Sequence, residues 1–323
     1  MINAYRANGL HTVLSPDVPG QSLTSDIVWI DLVAPSHEED RLVEDLLGIE
    51  VPTRDDLKDI EPSSRLYVEK DAVFMTASLV FKADTNNPQI TDVAFILTGD
   101  RLVTVRYAEP KSFNLFIAAL GRAPDETCDG RMLLAHLIET IADRTAEILE
   151  TVVARVDQLS NDIFRGRDER RPPKFLEHKL AEIAECHRLV GKVRDSLSSL
   201  SRVLSFLLNV PAVQEDTKVV SLCATVVKDV ATLSEHAAFI AGNIAFLLDA
   251  SLGLINVEQN AIIKIFSIAS VVFLPPTLVA SVYGMNFRAM PELDWTFGYP
   301  MALVGMLISA IVPFYFFRWK GWL

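Results

Sequence analysis

The residues of this chain that are best suited to chemistry are uncharged oxygen donors repeated along one apolar segment. At 3.5 residues per turn of helix, four positions fall on one line: Asn260, Ser267, Leu274 and Ser281. Five more positions lie within about 50° of that line: Asp249, Asn256, Ile263, Ser270 and Thr277. Hydroxyl and amide oxygens can hydrogen-bond the water shell of a cation. These nine positions, which we name the polar stripe, therefore predict a water-lined surface.

Three residues close the stripe at its outer end: Gly284, Met285 and Asn286. We interpret a ring of Asn286 carbonyls as a site for a hydrated cation, and Gly284 as the residue that permits a tight turn. Neutral oxygens hold a cation more loosely than a ring of carboxylates would, and conduction requires release. At the other end of the stripe, Asn256 and Asp249 are interpreted as the inner entrance.

A purely structural role for these residues is the competing interpretation. Serine and threonine in membrane helices often hydrogen-bond their own i−4 carbonyl, and small residues let helices approach closely. Pro275 and Pro276 should bend or loosen the helix, which suits either packing or carbonyls that face water. For the ordered stripe as a whole we favour the water-lined surface.

Two uncharged segments predict transmembrane helices. Ile265–Tyr283 has no charged residue across 19 positions, and Phe297–Phe317 has none across 21. Each is about 30 Å long as a helix, which matches the hydrocarbon thickness of a bilayer. A buried hairpin of a soluble core is the alternative, and the length argues against it. Because two helices cannot enclose a pore, the stripe implies a ring of subunits.

Charge and the N-terminal residues predict the orientation. The first 20 residues contain no apolar stretch of signal-peptide length. Lys264 precedes the first span, and Arg318 and Lys320 follow the second, so both termini are expected in the cytoplasm. Residues 1–260 hold 26 basic and 40 acidic residues, a balance that repels nucleic acid and attracts cations.

Up to about residue 125 the pattern predicts an α/β or α+β domain. Five segments rich in β-branched and aromatic residues are predicted strands: Asp26–Val33, Arg65–Lys70, Ala72–Phe81, Val93–Gly99 and Arg101–Tyr107. Ser36 and Thr53 are predicted N-caps of two helices.

Long segments that are nearly free of glycine and proline predict helices beyond this point: Arg131–Phe164, Pro173 to about Asn209, and Val213–Tyr283. The last is about 105 Å long if it is one helix. We therefore divide the chain into a cytosolic α/β domain (1–130), a cytosolic helical hairpin (131–212), a cytosolic stalk helix (213–264), a first, pore-lining transmembrane helix (265–285), an external loop (286–296), a second transmembrane helix (297–317) and a cytosolic basic tail (318–323).

No enzymatic site is evident in the soluble part. The six histidines form no zinc-ligand spacing, and neither a phosphate-binding loop nor a G-x-S-x-G motif is present. The three cysteines, Cys128, Cys186 and Cys223, are expected as thiols without a disulfide. A membrane-anchored sensor or enzyme is the rival from another class, but an anchor needs no polar stripe. Met290 and four aromatic residues are expected at the membrane interfaces: Trp295, Phe297, Trp319 and Trp322.

The stretch INVEQNAIIKIFSIASVVFLPPTLVASVYGMNF, with MPELDWTFGYP and the terminal KGWL, resembles the CorA family of magnesium transport proteins. The segments DIVWIDLVAP and TRDDLKDIEPSSR extend the likeness over the whole chain. The resemblance implies a homopentamer in the cell inner (plasma) membrane, with a cytosolic funnel of α/β domains and stalk helices. It implies Mg²⁺ influx driven by the membrane potential, with Co²⁺ and Ni²⁺ as alternative ions.

The resemblance also implies residue roles. Gly284, Met285 and Asn286 match the selectivity filter, Asn260 an asparagine required for permeation, Leu274 and Thr277 pore-lining positions, and Asp249 the inner entrance. Mg²⁺ bound between neighbouring cytosolic domains would hold the pore closed, through ligands that the sequence leaves unassigned. Arg288 stands where the family often has an acidic residue, which leaves Glu292 and Asp294 to attract ions in the external loop. A zinc-transporting branch resembling ZntB is the nearest rival, although Met285 fits the magnesium branch.

Overall fold

The computed structural model describes residues 1–7, 9–17, 23–59, 61–85, 87–122, 128–165, 172, 174–286, 290–291 and 295–321. It divides into two compact units, Met1–Leu248 and Asp249–Leu323, which we call the N-terminal and C-terminal units.

A seven-stranded mixed sheet forms the centre of the N-terminal unit. Its strands are β1 (Ile2–Arg6), β2 (His11–Leu14), β3 (Ile27–Val33), β4 (Leu66–Glu69), β5 (Ala72–Phe81), β6 (Gln89–Thr98) and β7 (Arg101–Arg106). The order across the sheet is β2-β1-β3-β7-β6-β5-β4, and β3 and β7 are the parallel pair in an otherwise antiparallel sheet. The five predicted strands are confirmed; β1 and β2 were not predicted.

Both faces of the sheet are covered by helices. Successive side chains of a strand point to opposite faces, so a strand can contribute to both cores. On one face, Ile30 and Leu32 of β3 and Val103 of β7 form a core with Val43 of helix α1 (His37–Leu47). A one-turn helix α2 (Pro62–Arg65) directly precedes β4. The other face packs against α3 (Lys111–Leu120), α4 (Gly130–Arg165) and α5 (Phe175–Leu207). Trp29 of β3 is fully buried there, with its ring against Phe113 and Phe116 of α3.

The two predicted N-caps have different outcomes. Ser36 accepts a hydrogen bond from the Glu39 N–H, while the Glu39 carboxylate accepts from the Ser36 N–H, a complete capping box that confirms the predicted start of α1. The prediction of a helix after Thr53 is wrong, because a single 3₁₀ turn, Asp56–Lys58, forms instead. The Thr53 hydroxyl donates to the Asp56 carboxylate at 2.7 Å, so this pair stabilises a local turn.

The predicted long helices are observed, with one change at the start of the last. A one-turn helix α6 (Pro211–Gln214) comes first, and α7 then runs from Thr217 to Tyr283 over 67 residues, about 100 Å. The Asp216 carboxylate accepts from the N–H groups of Lys218 and Val219, which fixes the new start. Helix α8 (Gly298–Trp319) follows.

Candidate ion-conduction face

The polar stripe lies on the side of α7 that faces away from α8. Along the C-terminal part of α7 the half-buried residues recur at helical spacing: Ile268, Val272, Pro276, Val279 and Tyr283. A matching half-buried series runs along α8: Ala302, Gly305, Ser309, Pro313 and Phe317. These two faces mark where α7 and α8 pack together within the C-terminal unit. At 100° per residue, the stripe is centred about 165° away from that contact on α7.

All nine stripe positions are exposed in the single chain. Leu274 is 67% exposed and Ile263 is 61% exposed, even though both are large and apolar. Large exposed apolar side chains on a helix face indicate a surface that contacts another protein or lipid. On this face that contact is not made by α8.

Two stripe hydroxyls hydrogen-bond their own helix. Ser270 Oγ donates to the Phe266 carbonyl at 2.9 Å, and Thr277 Oγ1 donates to the Phe273 carbonyl at 2.7 Å. The competing structural role is therefore realised at both positions. It does not exclude a wet surface, because a hydroxyl that donates inward keeps its lone pairs for accepting from water.

Ser267 lies at the edge of the stripe next to α8. It borders a cavity of 310 Å³ together with Lys264, Ile268 and Val271 of α7 and Phe317 of α8. One wall of this cavity belongs to α8. The sequence spacing that places Ser267 on the stripe therefore could not predict that Ser267 also lines the cavity.

The Gly-Met-Asn segment follows the last helical residue directly. The Gly284 N–H donates to the Ala280 carbonyl at 2.9 Å, and the Met285 N–H donates to the Val282 carbonyl at 3.3 Å. A Cβ on residue 284 would lie 3.0 Å from the Ala280 carbonyl oxygen, a tight contact that the glycine avoids. Met285 and Asn286 are both exposed.

The helix continues through Pro275 and Pro276. Because proline has no N–H, the carbonyls of Val271 and Val272 lose their usual i+4 donors. This leaves two backbone acceptors unpaired by the helix ladder, midway along the first span.

Asp249 and Asn256 are exposed near the start of the C-terminal unit, and Asn260 follows them one turn further on. The predicted external acidic residues Glu292 and Asp294, and also Arg288, lie outside the residues that the structure describes.

Within the described part of the chain, no three His, Cys, Asp or Glu side chains lie close enough together to hold a metal ion. The sequence did not single out Asp143 of α4, whose charge interacts with those of three other carboxylates. Although Asp143 is exposed overall, partial burial of its carboxyl raises the pKa, and the carboxylates of Glu139, Asp229 and Glu147 raise it further.

The expectation for the cysteines is confirmed. All three are buried, no disulfide joins them, and burial raises the pKa of the Cys223 thiol to about 11. Such thiols are poor nucleophiles at neutral pH.

A mixed α/β unit, followed by two helices long and apolar enough to cross a bilayer and a polar face on the first of them, is the arrangement of a membrane transport protein. Residues 24–319 match the family described as CorA-like Mg²⁺ transporter protein, and the chain belongs to that family.

Named relatives and a solved structure agree with this membership. The chain is 35% identical over 326 residues to the magnesium transport protein CorA of Pasteurella multocida, with all of both chains covered. It is 37% identical over 303 residues to the protein of the same name from Escherichia coli K12, with 92% of each chain covered. The complete structure of the CorA magnesium transporter from Methanocaldococcus jannaschii matches with a TM-score of 0.75 at 19% identity, over 100% of this chain and 98% of that one.

Proposed function

We propose that this chain is the subunit of a homopentameric channel that carries Mg²⁺ into the cell across the inner (plasma) membrane. Co²⁺ and Ni²⁺ are alternative transported ions. The relatives named as magnesium transport proteins support the choice of ion. The observation that carries the proposal is the polar stripe, exposed on the face of α7 opposite α8 and ending at Gly284, Met285 and Asn286.

The pore is formed by the stripes of several copies. Two exposed aromatic side chains extend the seven-residue spacing of the stripe toward the N-terminal unit: Phe239 at 65% exposure and Phe246 at 64%. Fully burying one such side chain is worth about 1.5–3 kcal/mol. A second copy of the chain that covers this line would gain that energy while turning the stripe toward a common axis.

Hydrated Mg²⁺ passes the stripe without losing all of its water. The Asn286 carbonyls accept hydrogen bonds from the hydration shell at the outer mouth, and the Thr277, Ser270 and Asn260 oxygens take over in turn. Ile263 and Leu274 supply apolar rings between the polar ones, where a narrowed pore would dewet and close.

The membrane potential drives the ion inward. It contributes about 2.3 kcal/mol per charge per 100 mV, hence roughly 4.6 kcal/mol for a divalent ion. The positive residues Lys264, Arg318 and Lys320 at one end of both spans support an orientation with cytoplasmic N- and C-termini.

Intracellular Mg²⁺ closes the pore by binding between neighbouring N-terminal units. The acidic excess of residues 1–260 supports this regulation. Since the described residues of one chain offer no cluster of three ligands, the site would be completed across two copies, and the closed state would depend on assembly.

The test is Mg²⁺ flux into vesicles that contain the purified protein. Asn286→Ala should abolish uptake and leave the oligomeric mass unchanged, because it removes the oxygen that binds the hydrated ion. Asn114→Ala, an exposed asparagine on α3, is the matched control and should transport normally. Normal uptake by Asn286→Ala would refute the filter assignment.

Comparing Mg²⁺, Co²⁺, Ni²⁺ and Zn²⁺ in the same vesicles separates the proposal from the zinc-transporting alternative. We expect uptake of the first three, and a preference for Zn²⁺ would favour the alternative.

A further inference from the structure

The cavity between α7 and α8 combines an apolar interior with a lysine at its mouth. Ile268, Val271 and Phe317 form its apolar wall, and Lys264 lines the end from which the first span begins. Its 310 Å³ is enough for roughly ten methylene groups at about 30 Å³ each, the liquid volume of a water-sized group.

Positive charge gathers at the same end of both spans. Arg318 and Lys320 follow Phe317 directly, and all three basic side chains are exposed. The Lys320 ammonium lies 5.7 Å from the centre of the Trp319 ring, and Trp319 is itself 80% exposed. An exposed tryptophan next to basic residues is typical of the depth at which lipid headgroups lie.

From this combination we propose that the cavity binds an anionic phospholipid. One acyl chain occupies the space against Ile268, Val271 and Phe317, and the headgroup phosphate pairs with Lys264 and Arg318. Charge complementarity selects the occupant, because basic pockets between transmembrane helices bind anionic headgroups. A zwitterionic lipid gains less from the two cations, because its own ammonium group offsets the charge of its phosphate.

The site touches the conduction face at one residue. Ser267 belongs to both the cavity and the polar stripe, so an acyl chain there contacts α7 beside a stripe hydroxyl. A lipid in this position would hold the packing of α7 on α8 and so steady the orientation of the stripe. The inference depends on the membrane placement of both helices and not on the ion that crosses.

Lipid binding can be measured without flux, by native mass spectrometry of the intact detergent-solubilised protein titrated with phosphatidylglycerol or phosphatidylcholine. We expect phosphatidylglycerol to bind at least tenfold more tightly. Lys264→Gln should weaken its binding about fivefold, since one basic residue near the headgroups contributes about 1 kcal/mol, and Lys264→Arg should restore it. Lys228→Gln, an exposed lysine on the same helix, is the control and should bind like the wild type.

A second variant separates the acyl chain from the headgroup. Val271→Phe fills the cavity and keeps Lys264, and should reduce binding of phosphatidylglycerol at least as much as Lys264→Gln. A photoreactive residue at position 268 should yield lipid adducts. Equal affinity for the two lipids, an unaffected Lys264→Gln variant, or adducts to a second copy of the chain would each overturn the proposal. Loss of Mg²⁺ flux with lipid binding intact would bear on the proposed function alone.

Discussion

At the scale of single residues, the carboxylate of Asp31 is the most fully buried charge in the N-terminal unit. Its two oxygens accept hydrogen bonds from Arg106 Nε at 3.0 Å and Nη2 at 2.8 Å, and Thr104 Oγ1 donates to Oδ1 at 2.7 Å. Trp29 Nε1 in turn donates to Thr104 Oγ1 at 2.9 Å. Asp31 pairs with Thr104 in the register of β3 and β7, so the network links the parallel strands at the centre of the sheet.

Asp31→Leu should destabilise the protein by about 3–5 kcal/mol, because it leaves the Arg106 guanidinium buried without its partner. Adding Arg106→Leu should recover much of that loss, since the desolvated charge is then absent. Thr104→Val removes neutral hydrogen bonds and should cost about 1–3 kcal/mol. Denaturant unfolding followed by fluorescence measures the wild type, these three variants and Arg106→Leu alone. An additive double variant would show that Asp31 and Arg106 do not act as a pair.

At the scale of elements, the C-terminal part of α7 has two faces with different partners. The half-buried face packs on α8, and the opposite face carries hydroxyls already oriented by the helix. Thr277 is the clearest case, because its hydroxyl donates to Phe273 at 2.7 Å and presents its lone pairs outward.

Thr277→Val keeps the shape of the side chain and removes the oxygen. It should lower Mg²⁺ flux about fivefold, the effect of one neutral hydrogen bond of about 1 kcal/mol. Thr277→Ser should transport like the wild type. Ser309→Ala on α8 is the matched control, since the Ser309 hydroxyl also donates to its own helix but lies on the half-buried face. If both Thr277→Val and Ser309→Ala lower flux equally, the effect is one of packing.

The electrostatic interaction of Asp143 on α4 with Asp229 on α7 gives a pH-dependent prediction. The pKa of this carboxyl is raised by burial and then by Glu139, Asp229 and Glu147. A raised pKa means that the native state favours the protonated form. The stability that this group contributes is therefore present below its ordinary value of 3.8 and is lost as the pH rises through the raised value.

Asp143→Asn should accordingly raise the thermal midpoint at pH 7, where the charged form is repelled, and change it little near pH 3.5. Asp157→Asn, an exposed carboxylate further along α4, is the control and should leave the midpoint unchanged at both pH values. Thermal unfolding at the two pH values in a chelating buffer measures this. A lower midpoint for Asp143→Asn at pH 7 would contradict the assigned repulsion.

Local signals made much of this fold predictable, and the misses have physical causes. Ser36 and Glu39 form a capping box within four residues, so the start of α1 needed no tertiary information. The same reasoning failed at Thr53, where Asp56 turns its carboxylate back to the Thr53 hydroxyl and the turn closes on itself. Strands β1 and β2 are short. Strand β1 is stabilised by its pairing with β2 and β3, and a local sequence pattern does not reveal such pairing.

The candidate site also has features that the sequence could predict and features that it could not. The stripe could be predicted because seven-residue spacing along one helix fixes which residues share a face. The cavity beside Ser267 could not, since Phe317 reaches it through the packing of α8. The interaction of Asp143 with Asp229 is between α4 and α7, so the spacing of acidic residues along α4 alone could not predict it.

At the scale of the whole molecule, the charge is divided unevenly along the chain. The chain carries a net charge of −12, and residues 1–260 hold 40 of its 42 acidic residues. If copies of the chain gather around an axis, as the stripe and the exposed Phe239 and Phe246 imply, acidic surfaces of neighbouring copies face each other. Like charges in contact oppose assembly, and a divalent cation between the copies offsets that repulsion.

Millimolar Mg²⁺ should therefore protect the N-terminal unit of the intact, assembled protein from protease, because the bound ion holds neighbouring units together and limits local opening. NaCl at matched ionic strength is the control for screening and should protect far less. Protein dissociated to single chains should lose the protection, since the proposed site lies between copies. Time courses of cleavage with and without Mg²⁺ measure the effect, and identical cleavage would argue against sensing of internal Mg²⁺ between copies. Protection that survives dissociation would instead locate the binding within a single chain.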